Sequence, residues 1–484
     1  MAGGDGGFFI KRQRSRGAAR DSGEGRGGSG GGKRKAGNAK DNVRKKFTAK
    51  LNEEISSDSE TESGAKRRKD EQEDEIEETV QEKKLRLAKV YLAQLQQEEE
   101  EKAEEQLEGD QVGGRLEDEV LEQKGKLKRL VASGYLPPDP SEIRLLKGHQ
   151  LPITCLVISA DDKYIFSGSK DCSIIKWDVA NGKKLHTIQG GRKGTEDKHV
   201  GHTAHILCMA ISSDSKYLAA GDRNKMIMIW DPATCQHVYT FKGHKDAVSG
   251  LSFRKGTHQL YSASHDRSVK VWNVDQNAYV ETLFGHQDVI TGLDCLSREC
   301  CVTAGGRDRT VRVWKITEES QLLFYGHESS VDCIQLINEE YMLSGGDDGS
   351  LALWTVTKKK PLMTVRKAHG IHGASGMEQP YWISSVAALL NSDLVASGSH
   401  DSRIRLWKCG AGFKKLEPLF DIPMAGFVNC LKFSTSGNFL VSGVGQEHRL
   451  GRWWRIKEAK NGIYIIPLRK KEQTDVTKEQ VTAV

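Results

Sequence analysis

Histidine and aspartate at a fixed separation are the residue types of proton transfer, and this chain carries them in series. His149 is followed by Asp171 and Trp177, His244 by Asp266 and Trp272, and His286 by Asp308 and Trp314. His327, Asp348 and Trp354 repeat the order, as do His369, Asp401 and Trp407, while His202 precedes Asn224 and Trp230. A general acid–base dyad works as one copy beside a nucleophile. Copies locked to a downstream Trp have a structural explanation instead. A buried indole can only donate its N–H, and a buried His–Asp pair satisfies two polar groups together. These residues are expected to staple a repeat internally, and Asn224, which lacks the charge, to make a weaker staple.

The second chemical set is cationic and flanks the staple Asp positions: Lys170, then Arg223 and Lys225, His265 and Arg267, Arg307 and Arg309, and finally His400 and Arg403. The second to fourth repeats supply a contiguous basic arc, which GGDDGS interrupts in the fifth with Asp347 and Asp348. Guanidinium forks grip phosphates bidentately and stack on unpaired bases. The competing use is pairing with neighbouring carboxylates, worth roughly 0 to 1 kcal/mol per exposed pair. Arg312, Lys176, Lys270 and Arg405 alternate with apolar residues and are expected at lateral or interblade positions. Near the C-terminus, GVGQEHRLGRWWRIKEAKNG sets Arg449, Arg452 and Arg455 beside Trp453 and Trp454, joining charge to stacking surface. One of these Trp residues is expected to serve the repeat and the other to be free. The candidate RNA-binding set is Arg223, Lys225, Arg267, Arg307, Arg309, Arg403, Arg449 and Arg452. The chain has no GxxxxGKS, HExxH or CxxC motif, and its one GxSxG match, GGSGG at 27–31, lies in the Gly-rich basic arm rather than on a strand-to-helix turn, so no catalytic residue, metal or cofactor is expected.

The elements that hold these residues follow from the period. Gly-His recurs at 148–149, 201–202, 243–244, 285–286 and 326–327, with a Trp 28, 28, 28, 28 and 27 residues after each His. A sixth copy begins at His369 and reaches Trp407 with extra residues around HGASGMEQP; a seventh, degenerate one runs from FVNCLKF (427–433) to RWWRI. Each copy reads as four short strands, for instance AVSGLSF, QLYSAS, SVKVW and YVETLF. The pattern resembles the WD40 family, which implies an all-β, seven-bladed propeller over 142–468 and places the Asp turns and the Gly-His loops on one rim. A ring must be closed. EIRLLKGH (142–149) and NGIYIIPL (461–468) compete for the outer edge of the last blade.

Composition separates this body from what precedes it. All 9 Trp and all 10 Cys lie after Ser141. Residues 11–50 carry 14 Lys or Arg against 3 Asp or Glu, interleaved with Gly, too little apolar surface to offset the entropy of ordering. Residues 1–75 are expected to be a disordered arm, basic and then acidic. Its clusters KRQRSR, GGKRK, NVRKK and AKRRK suit nuclear import receptors or phosphate backbones. Ser57 and Ser59 each precede a Glu by three residues, a pattern for acidophilic kinases. Residues 76–133 read as a charged helical segment, with one helix over 76–107 and a second piece near 112–131; residues 469–484 read as a disordered tail. With no membrane-length apolar run and no secretory leader, the chain is expected to be soluble and intracellular, its cysteines reduced.

Beyond the repeat, NEEISSDSE, QEKKLRLAKVYLAQL, LPITCLVIS, SHDRSVKVWNV, ETLFGHQDVITGLD, SRECCVTAGGRDRTVRVWKI and GVGQEHRLGRWWRIKEA resemble the U3 small nucleolar RNA-interacting protein 2 family, from about Leu51 to Leu468. The resemblance implies a non-enzymatic protein of the nucleus and nucleolus that binds the box B/C element of U3 small nucleolar RNA. It also implies as partners a kink-turn-binding protein, other box C/D ribonucleoprotein components and the small-subunit processome, which processes pre-ribosomal RNA. The competing class is a protein-only WD40 adaptor, a ubiquitin-ligase substrate receptor or chromatin reader. Its frequent Trp-Asp-x-Arg/Lys signature is absent from WDVA, WDPA, WNVD, WKIT, WTVT and WKCG.

Overall fold

The computed structural model describes residues 120–121, 125–192, 194–195, 199–373 and 377–471. The basic arm, Ser57, Ser59, the helix expected over 76–107 and residues 472–484 lie outside them. All described residues belong to one compact unit.

Seven four-stranded antiparallel sheets form the blades of a propeller. In the first blade Ile153–Ile158, Tyr164–Ser169, Ile174–Asp178 and Lys184–Ile188 pair in order from the centre outward. The inner strands are rich in β-branched residues because both their faces are covered by neighbouring blades. Ile153–Ile158 is therefore buried almost throughout, while Lys184–Ile188 opens to solvent.

The first strands of all seven blades line a central channel. One side chain from each inner strand donates to a main-chain carbonyl of the next blade: Thr154 to Ile206, Cys208 to Val248, Ser249 to Ile290, Thr291 to Val331, Cys333 to Ile383 and Ser384 to Val428. Asn429 completes the circle by donating to the Ile153 carbonyl at 2.9 Å. Blade-to-blade registration is thus set by hydrogen bonds as well as by packing.

The last blade joins both ends of the domain. Arg144–Leu146 is its outermost strand and pairs with Gly462–Pro467, which pairs in turn with Phe439–Gly445. NGIYIIPL therefore supplies the third strand rather than competing for the edge. The expectation that the seventh copy runs to RWWRI and takes one of its Trp residues is corrected: residues 446–461 form a long connection between the second and third strands of the blade instead. Isoleucines 463, 465 and 466 bury completely or nearly so, whereas Trp453 and Trp454 are 61% and 44% exposed. Neither indole serves the repeat.

The folded body also exceeds 142–468. Residues 126–131, expected to end a helix, are not helical. The N–H groups of Val131 and Ala132 both donate to Asp393 Oδ1, at 2.7 and 2.9 Å. Leu127, Ala132 and Tyr135 bury against the propeller. A carboxylate that takes two main-chain donors competes directly with helix formation. Tyr135–Leu136 then pairs with Arg469–Lys470, so the expected disordered tail begins as a strand.

Candidate nucleic-acid interface

The rim is positioned by the staples. In the first blade the Trp177 indole donates to Ser167 Oγ at 2.8 Å, which lies 2.7 Å from His149 Nε2; His149 Nδ1 lies 3.1 Å from Asp171. The hydroxyl accepts from the indole and donates to the unprotonated Nε2 of the imidazole, whose Nδ1–H donates to the carboxylate. Burial raises the Asp171 carboxyl, but the hydrogen bonds from His149 and Ser173 outweigh it and hold the group down to about 2. Ser262, Thr303, Ser344 and Ser397 relay in the same way in the third to sixth blades. His244, His286 and His369 reach Asp266, Asp308 and Asp401 at 3.0, 2.6 and 2.8 Å. In the fifth blade Ser350 stands between His327 and Asp348. These hydroxyls escaped the sequence reading, although a Ser or Thr 10 or 11 residues before each Trp signalled them.

The second blade corrects the expectation for Asn224. His202 Nδ1 meets Asp222 at 3.0 Å, while Asn224 donates to Thr203. Asp222 ends the strand Leu218–Asp222 and so arrives two residues earlier than the other staple acids. Ala220 takes the relay position, opposite Met228 as Ser167 is opposite Ile175. His202 Nε2 and Trp230 Nε1 are consequently buried without partners.

The turns that present each staple Asp also present the cations. Arg223, Lys225, Arg267, Arg307 and Arg309 are exposed on the second to fourth blades, and none forms an ion pair among the described residues. Three of them sit in the left-handed region, with φ of 72° at Lys225, 69° at Arg267 and 57° at Arg309. The equivalent residue of the fifth blade is Gly349, φ 69°. A side chain at such a position costs about 1–2 kcal/mol relative to ordinary backbone; Cys172 and Ser402 hold the same place in the first and sixth blades at φ 66° and 62°, so the left-handed residue belongs to the turn of the repeat.

Arg309 does donate to the Glu328 carbonyl at 3.4 Å; the remaining candidates are ion-paired or covered. Arg403 pairs with Asp421 at 3.3 Å and Arg452 with Glu447 at 3.1 Å. Lys170 is buried, donating to the Gly451 carbonyl and facing Glu447, and burial pulls its pKa down. His400 is buried against Phe427, the rings stacked 5.4 Å apart, and burial pushes its pKa down to about 4. Arg449 enters the channel mouth. Its guanidinium donates to the Asp332 carbonyl at 2.8 Å, and its own N–H donates to Asn429. Lys170, His400 and Arg449 are thus removed from the exposed arc, because the 446–461 connection folds back across the rim and buries them.

That connection makes a brace. His448 packs on Trp382, Trp453 stands at right angles to Trp382, and Trp454 meets His372 and His400 edge-on. Burial drives His448 down to about 3 and drives Asp332 up to about 6, against the pull of Arg449.

Two aromatic residues missed by the sequence reading complete the arc. Phe284 and Tyr325 are 73% and 58% exposed. They pair across the sheet with Ser268 and Thr310, each the neighbour of an arc arginine. Lys242 is opposite Met226, beside Lys225. The signal was legible, since the residue before each Gly-His faces solvent and here reads Lys242, Phe284 and Tyr325. Cation and ring alternate along this side of the disc.

Among the described residues no group of His, Cys, Asp and Glu is placed to hold a metal ion, and all ten cysteines are unpaired thiols. The "WD domain, G-beta repeat" family model matches residues 140–178, 195–231, 235–273, 277–315, 318–355, 374–408 and 420–450. The chain is 68% identical over 440 residues to U3 small nucleolar RNA-interacting protein 2 of Mus musculus, covering 90% of this chain and 93% of that one. It is 70% identical over 391 residues to the Homo sapiens protein so described, covering 81% and 82%. A crystal structure of RRP9 WD40 repeats superposes with a TM-score of 0.67 at 68% identity, covering 69% of this chain and 100% of that one.

Proposed function

The chain belongs to the WD-repeat family of U3 small nucleolar RNA-interacting protein 2, and on that premise we propose that it is a non-catalytic RNA-binding scaffold of the U3 small nucleolar ribonucleoprotein, at work in pre-ribosomal RNA processing in the nucleolus. The observation that carries the mechanism is the arc of exposed cations, free of ion pairs, on the second to fourth blades. Each neutralised phosphate releases counterions, so affinity falls with salt. Phe284 and Tyr325 offer stacking faces between the cations, worth about 1–3 kcal/mol per base. A rigid disc with this surface reads bent backbone and splayed bases rather than an extended sequence. The box B/C element held by a kink-turn-binding protein is a target of that shape. The other box C/D components and processome proteins assemble around it, and the basic arm takes import receptors or RNA.

The test is charge reversal in the full-length chain. Arg307→Glu with Arg309→Glu is expected to weaken binding to a kink-turn RNA carrying its primary protein by tenfold or more, and to lower the log–log salt slope by about one to two. The melting temperature stays unchanged. RNA binding that survives while stability falls would sink the assignment. RNA-independent recovery of ligase or chromatin subunits from cells, without U3 RNA in crosslinked material, would favour the protein-only adaptor.

A further inference from the structure

Across the rim from the basic arc, the fifth, sixth and seventh blades meet around a cavity of about 340 Å³, lined by Asp347, His372, Trp382, His400, Trp453 and Trp454. That is within the span of roughly 300–1,000 Å³ typical of small-ligand sites. We propose that this cavity takes a single unpaired guanine base of the bound RNA, recognised by Asp347 and stacked on the exposed indoles.

The polar atoms around the cavity define the occupant. Asp347 Oδ1, Trp382 Nε1, His372 Nδ1 and both ring nitrogens of His400 are buried without a hydrogen-bond partner. The indole can only donate, the carboxylate can only accept, and a neutral imidazole does one of each. Burial keeps His400 neutral, with its pKa down to about 4. An occupant must therefore bring donors and acceptors together on a flat edge. A phosphate is repelled by Asp347, and a methylated ammonium leaves Trp382 and the imidazole N–H groups unsatisfied. A heterocycle meets both needs.

Guanine is the base whose edge fits a carboxylate. Its ring N–H and 2-amino group are adjacent donors, and its O6 and N7 accept from an indole or imidazole N–H. Uracil has one N–H between two carbonyls that would repel Asp347. Adenine and cytosine set their amino group beside an unprotonated ring nitrogen. The walls are aromatic: Trp453 stands 6.0 Å from Trp382, and Trp454 meets both His372 and His400 edge-on at 5.3 Å. Both indoles ride on the 446–461 connection and are exposed, so each leaves a ring face open to an entering base. Base pockets of this kind combine edge hydrogen bonds with aromatic stacking.

This inference rests on the RNA-binding reading, and the experiment separates the two. Fluorescence anisotropy of the full-length chain compares labelled hexauridylate with the same RNA carrying one central guanosine. The guanosine RNA is expected to bind about tenfold more tightly. Asp347→Ala removes the preference and leaves hexauridylate affinity and melting temperature in place; Trp453→Ala with Trp454→Ala also removes the preference and keeps hexauridylate affinity, with a lower melting temperature because the brace loses its ring contacts. Arg307→Glu with Arg309→Glu weakens both RNAs and keeps their ratio. Equal affinity for the two RNAs in the unaltered chain overturns the base pocket and leaves the arc standing. Unchanged affinity with a retained ratio in the charge-reversed chain overturns the arc and leaves the pocket standing. Selective capture of a trimethyl-lysine peptide, abolished by the paired Trp→Ala change, overturns the base pocket in favour of a cation cage.

Discussion

The two halves of the rim are built from the same turn of the same repeat and end in opposite chemistry. On the second to fourth blades the turn ends in Lys225, Arg267 and Arg309, exposed and left-handed. On the fifth blade it ends in Gly349, where an added Cβ would lie 2.7 Å from the Tyr381 carbonyl oxygen. No side chain fits there, so the arc stops. Beyond it the 446–461 connection covers Lys170 and His400, while Arg403 and Arg452 stay at the surface, paired with Asp421 and Glu447. Identical topology therefore does not give identical surface: what lies above each turn decides whether a cation faces solvent or a partner.

The comparison can be broken most forcefully from the brace side. Arg449→Ala removes the donor to the Asp332 carbonyl and the charge that offsets the Asp332 carboxyl. The expected cost in urea unfolding is about 2–4 kcal/mol, with the salt slope of RNA binding kept. Gly349→Arg tests why the arc ends. The clash with Tyr381, together with a left-handed non-glycine residue, is expected to cost about 2 kcal/mol. The substitution should lower the melting temperature without adding RNA affinity.

Acid should loosen the brace before the arc. His400 and His448 are held to about 4 and about 3 in the fold, chiefly by burial, against an unfolded value near 6.5. The native state then binds fewer protons than the unfolded chain. Their contribution is complete above about pH 6.5 and is lost as pH falls toward 4 for His400 and toward 3 for His448. Asp332, raised to about 6, works in the opposite direction, stabilising progressively as pH falls from 6 toward 4, but it is one group against two. Melting temperature should fall between pH 6.5 and 4.5, and His400→Phe should flatten that slope. The smallest effect sharpens the arc itself. Arg309→Gly relieves left-handed strain but frees the unfolded backbone, so stability shifts by about 0.5 kcal/mol or less. RNA affinity should still fall, which separates the role of this cation from any structural one.

The staples were legible because they obey local spacing. His244, Asp266 and Trp272 lie within one repeat, and strand register alone brings them together through Ser262. Asn224 misled because register can deliver the acid from the strand as well as from the turn: Asp222 stands where the first blade has Ser169. The exposure of Arg307 and Arg309 followed from the same repeat logic. The fate of Arg449, Arg452 and Arg403 did not, since each reports what happens to stand nearby. Arg449 meets a carbonyl 117 residues away in sequence, and no local pattern encodes that contact.

By itself, then, the sequence determined the repeat, the number of blades, the staple chemistry and the family. All of these rest on periodic spacing, which the period of a strand and the donor and acceptor needs of buried groups translate directly into structure. Only the tertiary structure decided which strand closed the ring, which cations stayed exposed without an ion pair and where the aromatic residues of the last connection went. Those outcomes depend on closing a circle in space. A closed ring brings the Asn429 side chain against the Ile153 carbonyl and the 446–461 connection over the fifth and sixth blades, juxtapositions that chain order cannot carry.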